Sequence, residues 1–310
     1  MRQEIIVGTR ESELALWQTN WVIERLRRLN PELTFRIKGI KTQGDNILDI
    51  ALAKIGDKGL FTKELEFAML RGEIDMAVHS MKDIPTELPT GLTIGAVCER
   101  EYPGDILVSL KDYTLDQLPP GAVVGTSSLR RTAQILRYRP DLNIVNLRGN
   151  VKTRLKKMEE QKMDAIVLAY AGIQRLGLGD RITERIPFEV CLPAVGQGSI
   201  GIEIREHDEE IIKVVKTIDH LPSRLAITAE RALLKMLEGG CQIPIGAYGQ
   251  VKGDRLSLEG LVASLDGRQM VRASLEGTVS EAGEIGVRLA KTLLKMGAGE
   301  ILQVVRQENC

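Results

Sequence analysis

Residues 122–139 read AVVGTSSLRRTAQILRYR, and their order decides the fold. A β-branched apolar run ends at Gly125, three hydroxyl residues follow (Thr126, Ser127, Ser128), and apolar residues return at helical spacing from Leu129. That is a strand feeding a helix through a tight turn. The same order of strand, Gly-Thr, two residues and helix occurs at Gly8-Thr9-Arg10-Glu11, between EIIVGT (4–9) and ESELALWQTNWVIERLRRL (11–29). The repetition points to two similarly wound domains.

Working outward, TFRIKGIK, IDMAVHS, LTIGAVC, LNIVNL and DAIVLAY alternate with helical segments over the first two thirds of the chain. Strands separated by helices imply mainly parallel sheets covered on both faces, an α/β doubly wound fold. Proline and glycine interrupt the pattern at CEREYPGD (98–105) and CLPAVGQG (191–198), so the chain is expected to leave the first domain and return to it. After IDHLPSR one helix is expected to reach Glu238. The strand-like LSLEGLVAS and QMVRASLEGTV and the helical EAGEIGVRLAKTLLKMG then read as a small α+β domain. The expected boundaries are 1–98 with 194–217, 99–193, and 218–310.

The 310 residues include 42 basic and 42 acidic side chains, so no global field draws nucleic acid or a membrane surface. Four scattered cysteines without a C-x-x-C pair, and an N-terminus that opens on a strand, point to a cytoplasmic protein with reduced thiols. No apolar run approaches the ~20 residues of a membrane span.

Local clustering is more informative. Residues 125–157 carry nine basic residues and one acid. Thr126, Ser127 and Ser128 precede a helix N-terminus, where unpaired N–H groups and the helix dipole favour an anion. Arg130 and Arg131 follow in the first turn, and Arg148 and Arg154 flank the next strand-to-helix turn. Arginine forks suit a carboxylate or phosphate. In VHSMKDIP (78–85), Asp83 is either a turn former before Pro85 or a carboxylate facing this positive charge, and His79 reads as a satisfied core residue.

Gly196, Gly198 and Gly201 have G-x-G-x-x-G spacing, but the following IGIEIR alternates like a strand, which excludes a dinucleotide fingerprint. His79, His207 and His220 form no metal-ligand spacing, and no phosphate loop is present. The long segment 41–61 reads as a surface loop or as a mobile cover whose Lys54, Lys58 and Phe61 face an anionic ligand. LEGGCQIPIG (237–246) sets Cys241 in a turn after a helix. A lone cysteine is most often a small buried apolar residue, and a helix C-terminus disfavours a thiolate.

GTRESELALWQ, VHSMKDIP, GTSSLRR, LRGNVKTRL, AIVLAYAGIQRL, LPAVGQG and LEGGCQIPIG together, in this order, resemble the porphobilinogen deaminase (hydroxymethylbilane synthase) family over nearly the whole chain. The resemblance implies a monomeric cytoplasmic transferase with two periplasmic-binding-protein-like domains and a third that carries a cofactor. It implies head-to-tail condensation of four porphobilinogen molecules, with loss of ammonia, on a dipyrromethane held by a thioether to Cys241. No metal, nucleic acid or membrane partner is implied. By the same resemblance Asp83 is the catalytic group, and Arg10, Arg130, Arg131, Arg148 and Arg154 are the main carboxylate ligands. Ser12, Ser80, Lys82, Thr126, Ser127, Ser128, Gln197 and Arg175 assist. The competing class is a non-catalytic binding protein for small carboxylates, which would leave Asp83 and Cys241 idle.

Overall fold

The structure, a computed structural model, describes residues 2–46, 59–238 and 243–308. Contacts divide these into two compact units, one of residues 2–46, 59–101 and 198–224, the other of 102–197, 225–238 and 243–308.

The first unit holds β1 (Glu4–Thr9), β2 (Thr34–Gly39), β3 (Met76–Ser80), β4 (Leu92–Val97) and β10 (Ile200–Arg205) in one sheet of order β2-β1-β3-β10-β4. β1 runs parallel to β2 and β3, whereas β10 is antiparallel to both of its neighbours. Ser12 accepts a hydrogen bond from Ala15 N and starts the helix Glu13–Leu29. Val22, Ile23 and Leu26 of that helix pack on Ile5, Val7, Val78 and Ile202. The helix Lys63–Leu70 presents Leu65, Ala68 and Met69 to a second cluster with Ile74, Ala77 and Leu92. A side chain as enclosed as Val22 or Leu26 contributes on the order of 1.5–3 kcal/mol over its exposed state.

The second unit repeats the wiring. β5 (Asp105–Ser109), β6 (Val123–Gly125), β7 (Asn143–Val145), β8 (Ala165–Ala169) and β9 (Glu184–Arg185) lie in the order β7-β6-β8-β5-β9. β6 is parallel to β7 and β8, and β5 is antiparallel to β8 and β9. Both sheets therefore match the expectation of mainly parallel strands, apart from one reversed strand each. In each case the reversed strand is the first to follow a crossover of the chain.

The same unit includes a meander of β11 (Ile245–Lys252), β12 (Arg255–Ala263) and β13 (Met270–Thr278). Leu233, Leu289 and Leu293 cover it from the helices Leu221–Met236 and Ala282–Leu293. Sequence reading missed β11, whose alternation is diluted by glycine. At Gly249 a Cβ would meet Ala226 O at 2.9 Å, so the close approach of helix and strand excludes a side chain there. The final helix, Gly299–Glu308, was also missed, since it restarts after a left-handed Gly297. The helix expected to reach Glu238 stops at Met236, and the left-handed conformation falls on Glu238 itself (φ 51°).

Candidate active site

In the first unit, parallel pairing of β1 with β3 puts the ends of both strands at one edge of the sheet. Arg10 and Ser12 follow β1. Ser80 ends β3, and Lys82 and Asp83 sit in the single 3₁₀ turn Met81–Asp83 that leaves it. Arg10, Ser12, Gln18, Phe61, Ser80, Lys82 and Asp83 line one open cavity of about 100 Å³, together with His79. The Arg10 guanidinium lies over the Phe61 ring, 4.2 Å from its centroid. Gln18 Nε2 donates to Ser80 Oγ at 3.0 Å, fixing that hydroxyl at the cavity wall. The turn is pinned in turn by Met81 N, which donates to Ser199 O. A carboxylate, two cations and two hydroxyls thus converge on one cavity that is open to solvent.

His79 is buried, as expected for a core residue, but it is not satisfied. Its Nε2 lies 3.1 Å from Glu203 Oε2 without an aligned hydrogen bond, and neither Glu203 oxygen has another partner.

In the second unit, β6 and β7 are parallel neighbours, so the turns after them also share one end of a sheet. Ser128 caps the helix Leu129–Tyr138 by accepting from Arg131 N, and Thr126 Oγ1 accepts from Ser128 N. Ser127 is half-buried between them. Asn150 caps the helix Val151–Glu160 in the same way. Arg148 is buried in the second turn, where desolvation pushes its pKa down. Arg154 Nε donates to Gly149 O, and Arg175 closes the helix Tyr170–Arg175.

Arg130 and Arg131 behave differently from a pair of surface forks. Both are only 5% exposed, and both grip Asp105, a residue that sequence reading did not single out. Arg130 donates to Asp105 Oδ2 at 2.7 Å and to Leu192 O. Arg131 donates through two nitrogens to Asp105 Oδ1, at 3.1 and 2.7 Å, and to Val167 O. Gln197 Nε2 adds a bond to Asp105 Oδ1 at 2.9 Å and one to Pro103 O. Burial pushes the Asp105 carboxyl upward, but the two guanidiniums outweigh it and hold the group well below the usual carboxylate range. Arg130 Nε, also buried, has no acceptor among the described residues.

Cys241, Lys54 and Lys58 lie outside the described residues. Among the described cysteines, Cys98 and Cys191 are buried. Burial and neighbouring Asp105 push the Cys191 thiol up to about 12, which makes it inert as a nucleophile. Among the described residues, no cluster of His, Cys, Asp and Glu is arranged to hold a metal ion, and no helix is long and apolar enough to cross a membrane.

Comparison with known proteins gives two family matches. Residues 5–213 match the porphobilinogen deaminase, dipyromethane cofactor binding domain, and residues 224–295 match the porphobilinogen deaminase C-terminal domain. A porphobilinogen deaminase of Pelotomaculum thermopropionicum is 65% identical over 309 residues, covering 100% of this chain and 99% of that protein. One from Carboxydothermus hydrogenoformans is 60% identical, with 99% of each chain covered. A more distant relative of the same name from Nostoc is 51% identical, covering 99% of this chain and 96% of its own.

Proposed function

Because the chain belongs to the porphobilinogen deaminase family, we infer that the cavity around Asp83 is its reacting centre and that the basic turns of the second unit bind pyrrole carboxylates. The activity is the condensation of four porphobilinogen molecules, head to tail and with loss of ammonia, to linear hydroxymethylbilane. A purely carboxylate-binding role is not favoured by this membership. The observation that carries the assignment of the centre is the convergence of Asp83 with Arg10 and Lys82 in one cavity.

Each substrate ring brings an acetate, a propionate and an aminomethyl group. Arg10 and Lys82 offer cations to the carboxylates, and Ser12 and Ser80 offer hydroxyl donors. When ammonia leaves the substrate, positive charge spreads onto the pyrrole nitrogen. Asp83, fixed by its turn, supplies a preorganised negative charge to that N–H. Phe61 holds Arg10 in place by ring contact, and with Lys54 and Lys58 it belongs to the proposed cover.

The dipyrromethane of the family fits the residues present. Its carboxylates call for cationic and N–H donors, and the second unit supplies two capped helix starts, Arg148 and Arg154, and a buried Arg130 Nε in want of an acceptor. Ser80, Lys82, Thr126, Ser127 and Ser128 would hold it directly, and Arg131 and Gln197 would act through the frame they share with Asp105. Arg175 would serve added substrate rings. Cys241 is the proposed thioether anchor, and the burial of both described cysteines supports it. When bound, the group supplies the ring from which the chain grows.

We read the three sheets as three domains, 1–98 with 194–217, 99–193 and 218–310, in a monomeric cytoplasmic protein without a nucleic-acid partner. Balanced charge supports the last point. The test of the whole reading is the intact mass of the denatured protein. An excess of two porphobilinogens less two ammonias is expected, and it should vanish in Cys241→Ala. A mass unchanged after loading the wild type with porphobilinogen overturns the reading.

A further inference from the structure

Beneath the cavity, three ionisable groups are packed with too few partners. His79 on β3 and Glu203 on β10 face one another across the antiparallel pair, and their side chains are 2% and 0% exposed. Glu66, from the helix Lys63–Leu70, is buried beside them with Oε1 unpaired. Burial pushes its carboxyl up, opposed by a hydrogen bond from Thr62, and the nearby Glu203 pushes the same way as burial. Buried polar groups are almost always hydrogen-bonded, and isolated buried charge is expensive. A purely structural site would pair Glu203, yet both of its oxygens lack an aligned donor.

His79 differs from the two carboxylates in that it also lines the cavity that holds Arg10, Lys82 and Asp83. Its Nε2 is enclosed next to Glu203, so a proton-accepting role would fall to Nδ1. We propose that His79 is a second catalytic residue of this cavity, a base that takes the proton shed by a pyrrole α-carbon, and that Glu203 is its positioning residue. Catalytic hydrogen bonds that are poorly aligned without ligand tighten when the substrate is bound, which accounts for the off-axis contact of His79 with Glu203.

The inference rests on the function proposed above. In each condensation a C–C bond forms between the free α-carbon of one substrate-derived ring and the aminomethyl carbon of the next porphobilinogen. The C–N bond breaks, and its electron pair leaves with ammonia. The α-hydrogen leaves as a proton, is held on His79, and is passed to the ammonia to give ammonium. No other reactant is needed. The division of labour is chemical: the Asp83 carboxylate faces the cation, and the His79 imidazole accepts the proton. Glu203 from β10 and Glu66 from the neighbouring helix, with Lys63 beside it, bias the ring from below, and Arg10, Lys82 and Asp83 face it from the cavity.

The experiment uses loaded enzyme and porphobilinogen carrying deuterium at the free α-carbon. His79→Gln is expected to slow turnover by ~10²–10⁴, the usual worth of a general base, and to develop a primary isotope effect that the wild type lacks. Slowing without that isotope effect, in an enzyme that still carries its cofactor mass, means a structural role and overturns the proposal. Glu203→Gln keeps the shape and serves if the first variant does not fold. It should shift the acidic limb of the kcat profile against pH, and a profile superposable on the wild type removes Glu203 from the mechanism. A readout apart from turnover is nitrogen-15 NMR of the ring, feasible with three histidines in the chain. With Nε2 against Glu203, the ring proton should sit on Nε2, and Glu203→Leu should relax that preference. An unchanged tautomer overturns the positioning role. If instead the wild type itself does not turn over porphobilinogen, the functional reading fails before His79 is tested.

Discussion

Asp105→Asn should be among the most destabilising single-atom exchanges in the second unit. The wild-type carboxylate accepts from Arg130 at 2.7 Å, from Arg131 at 2.7 and 3.1 Å, and from Gln197 at 2.9 Å, all out of contact with water. Asparagine keeps the shape but removes the charge and turns an amide donor toward one of the guanidiniums. Two buried cations then remain without a counter-charge. Breaking a buried pair in this way costs about 3–5 kcal/mol. Chemical denaturation followed by far-ultraviolet circular dichroism is the assay, because both tryptophans, Trp17 and Trp21, sit in the first unit and report on that unit.

The pH dependence has a definite sign. The folded-state pKa of Asp105 is depressed, so its stabilisation is full above the unfolded value of about 3.9 and is lost as pH falls toward the folded value. The difference between wild type and variant should be flat from about pH 8 to pH 5 and shrink only below roughly pH 4. Adding Arg131→Met to Asp105→Asn should recover at least ~1 kcal/mol, since one stranded cation is gone. A cost below ~1 kcal/mol for the single variant, or a slope between pH 5 and 8, refutes the account of the cluster.

Asp83→Asn should lower kcat by ~10²–10³ while the excess mass of the loaded protein is retained, and a normal rate would remove Asp83 from the centre. Glu66→Gln should be more stable than the wild type at pH 8, because the raised pKa shows the fold disfavouring the ionised carboxylate. The advantage should fade as pH falls through the raised folded-state value and be gone below about 4.3, and denaturation midpoints at pH 8 and pH 4 check it. Gly267→Ala should cost more than ~1 kcal/mol, since φ is +73° and a Cβ would lie 2.1 Å from Ala133 O, and thermal melting reads the loss.

The winding of both α/β sheets was legible because it is written locally. Thr126 to Ser128 and Gly8 to Glu11 mark the strand ends, and Ser12, Ser128 and Asn150 cap the helices that follow. The cavity residues Arg10, Ser80, Lys82 and Asp83 were legible for the same reason, as each follows a strand end. Asp105 was not, since it reads as the end of the joint CEREYPGD and its partners lie 25 and 26 residues further on. A single acid of this kind has no periodic signal, and only the unusual density of arginine at 130–131 hints that a buried counter-charge exists. His79 was misjudged in one respect: alternation along β3 predicts burial, but whether a buried ring is satisfied depends on Glu203, which arrives from a strand more than a hundred residues away.

The place of β10 in its sheet governs how the protein emerges during synthesis. β3 and β4 are not neighbours, and the strand that joins them is separated from Val97 by about a hundred residues of chain. At translation speeds of ~5–20 residues per second, the early strands wait roughly 5–20 s on the ribosome with a gap in the middle of their sheet. The second sheet waits less, because β8, which joins β6 to β5, follows β6 by only about forty residues. Though the first unit starts the chain, its sheet is the last of the two to be completed, and the interval leaves the edges of β3 and β4 open to a trigger-type chaperone or to a neighbouring nascent chain.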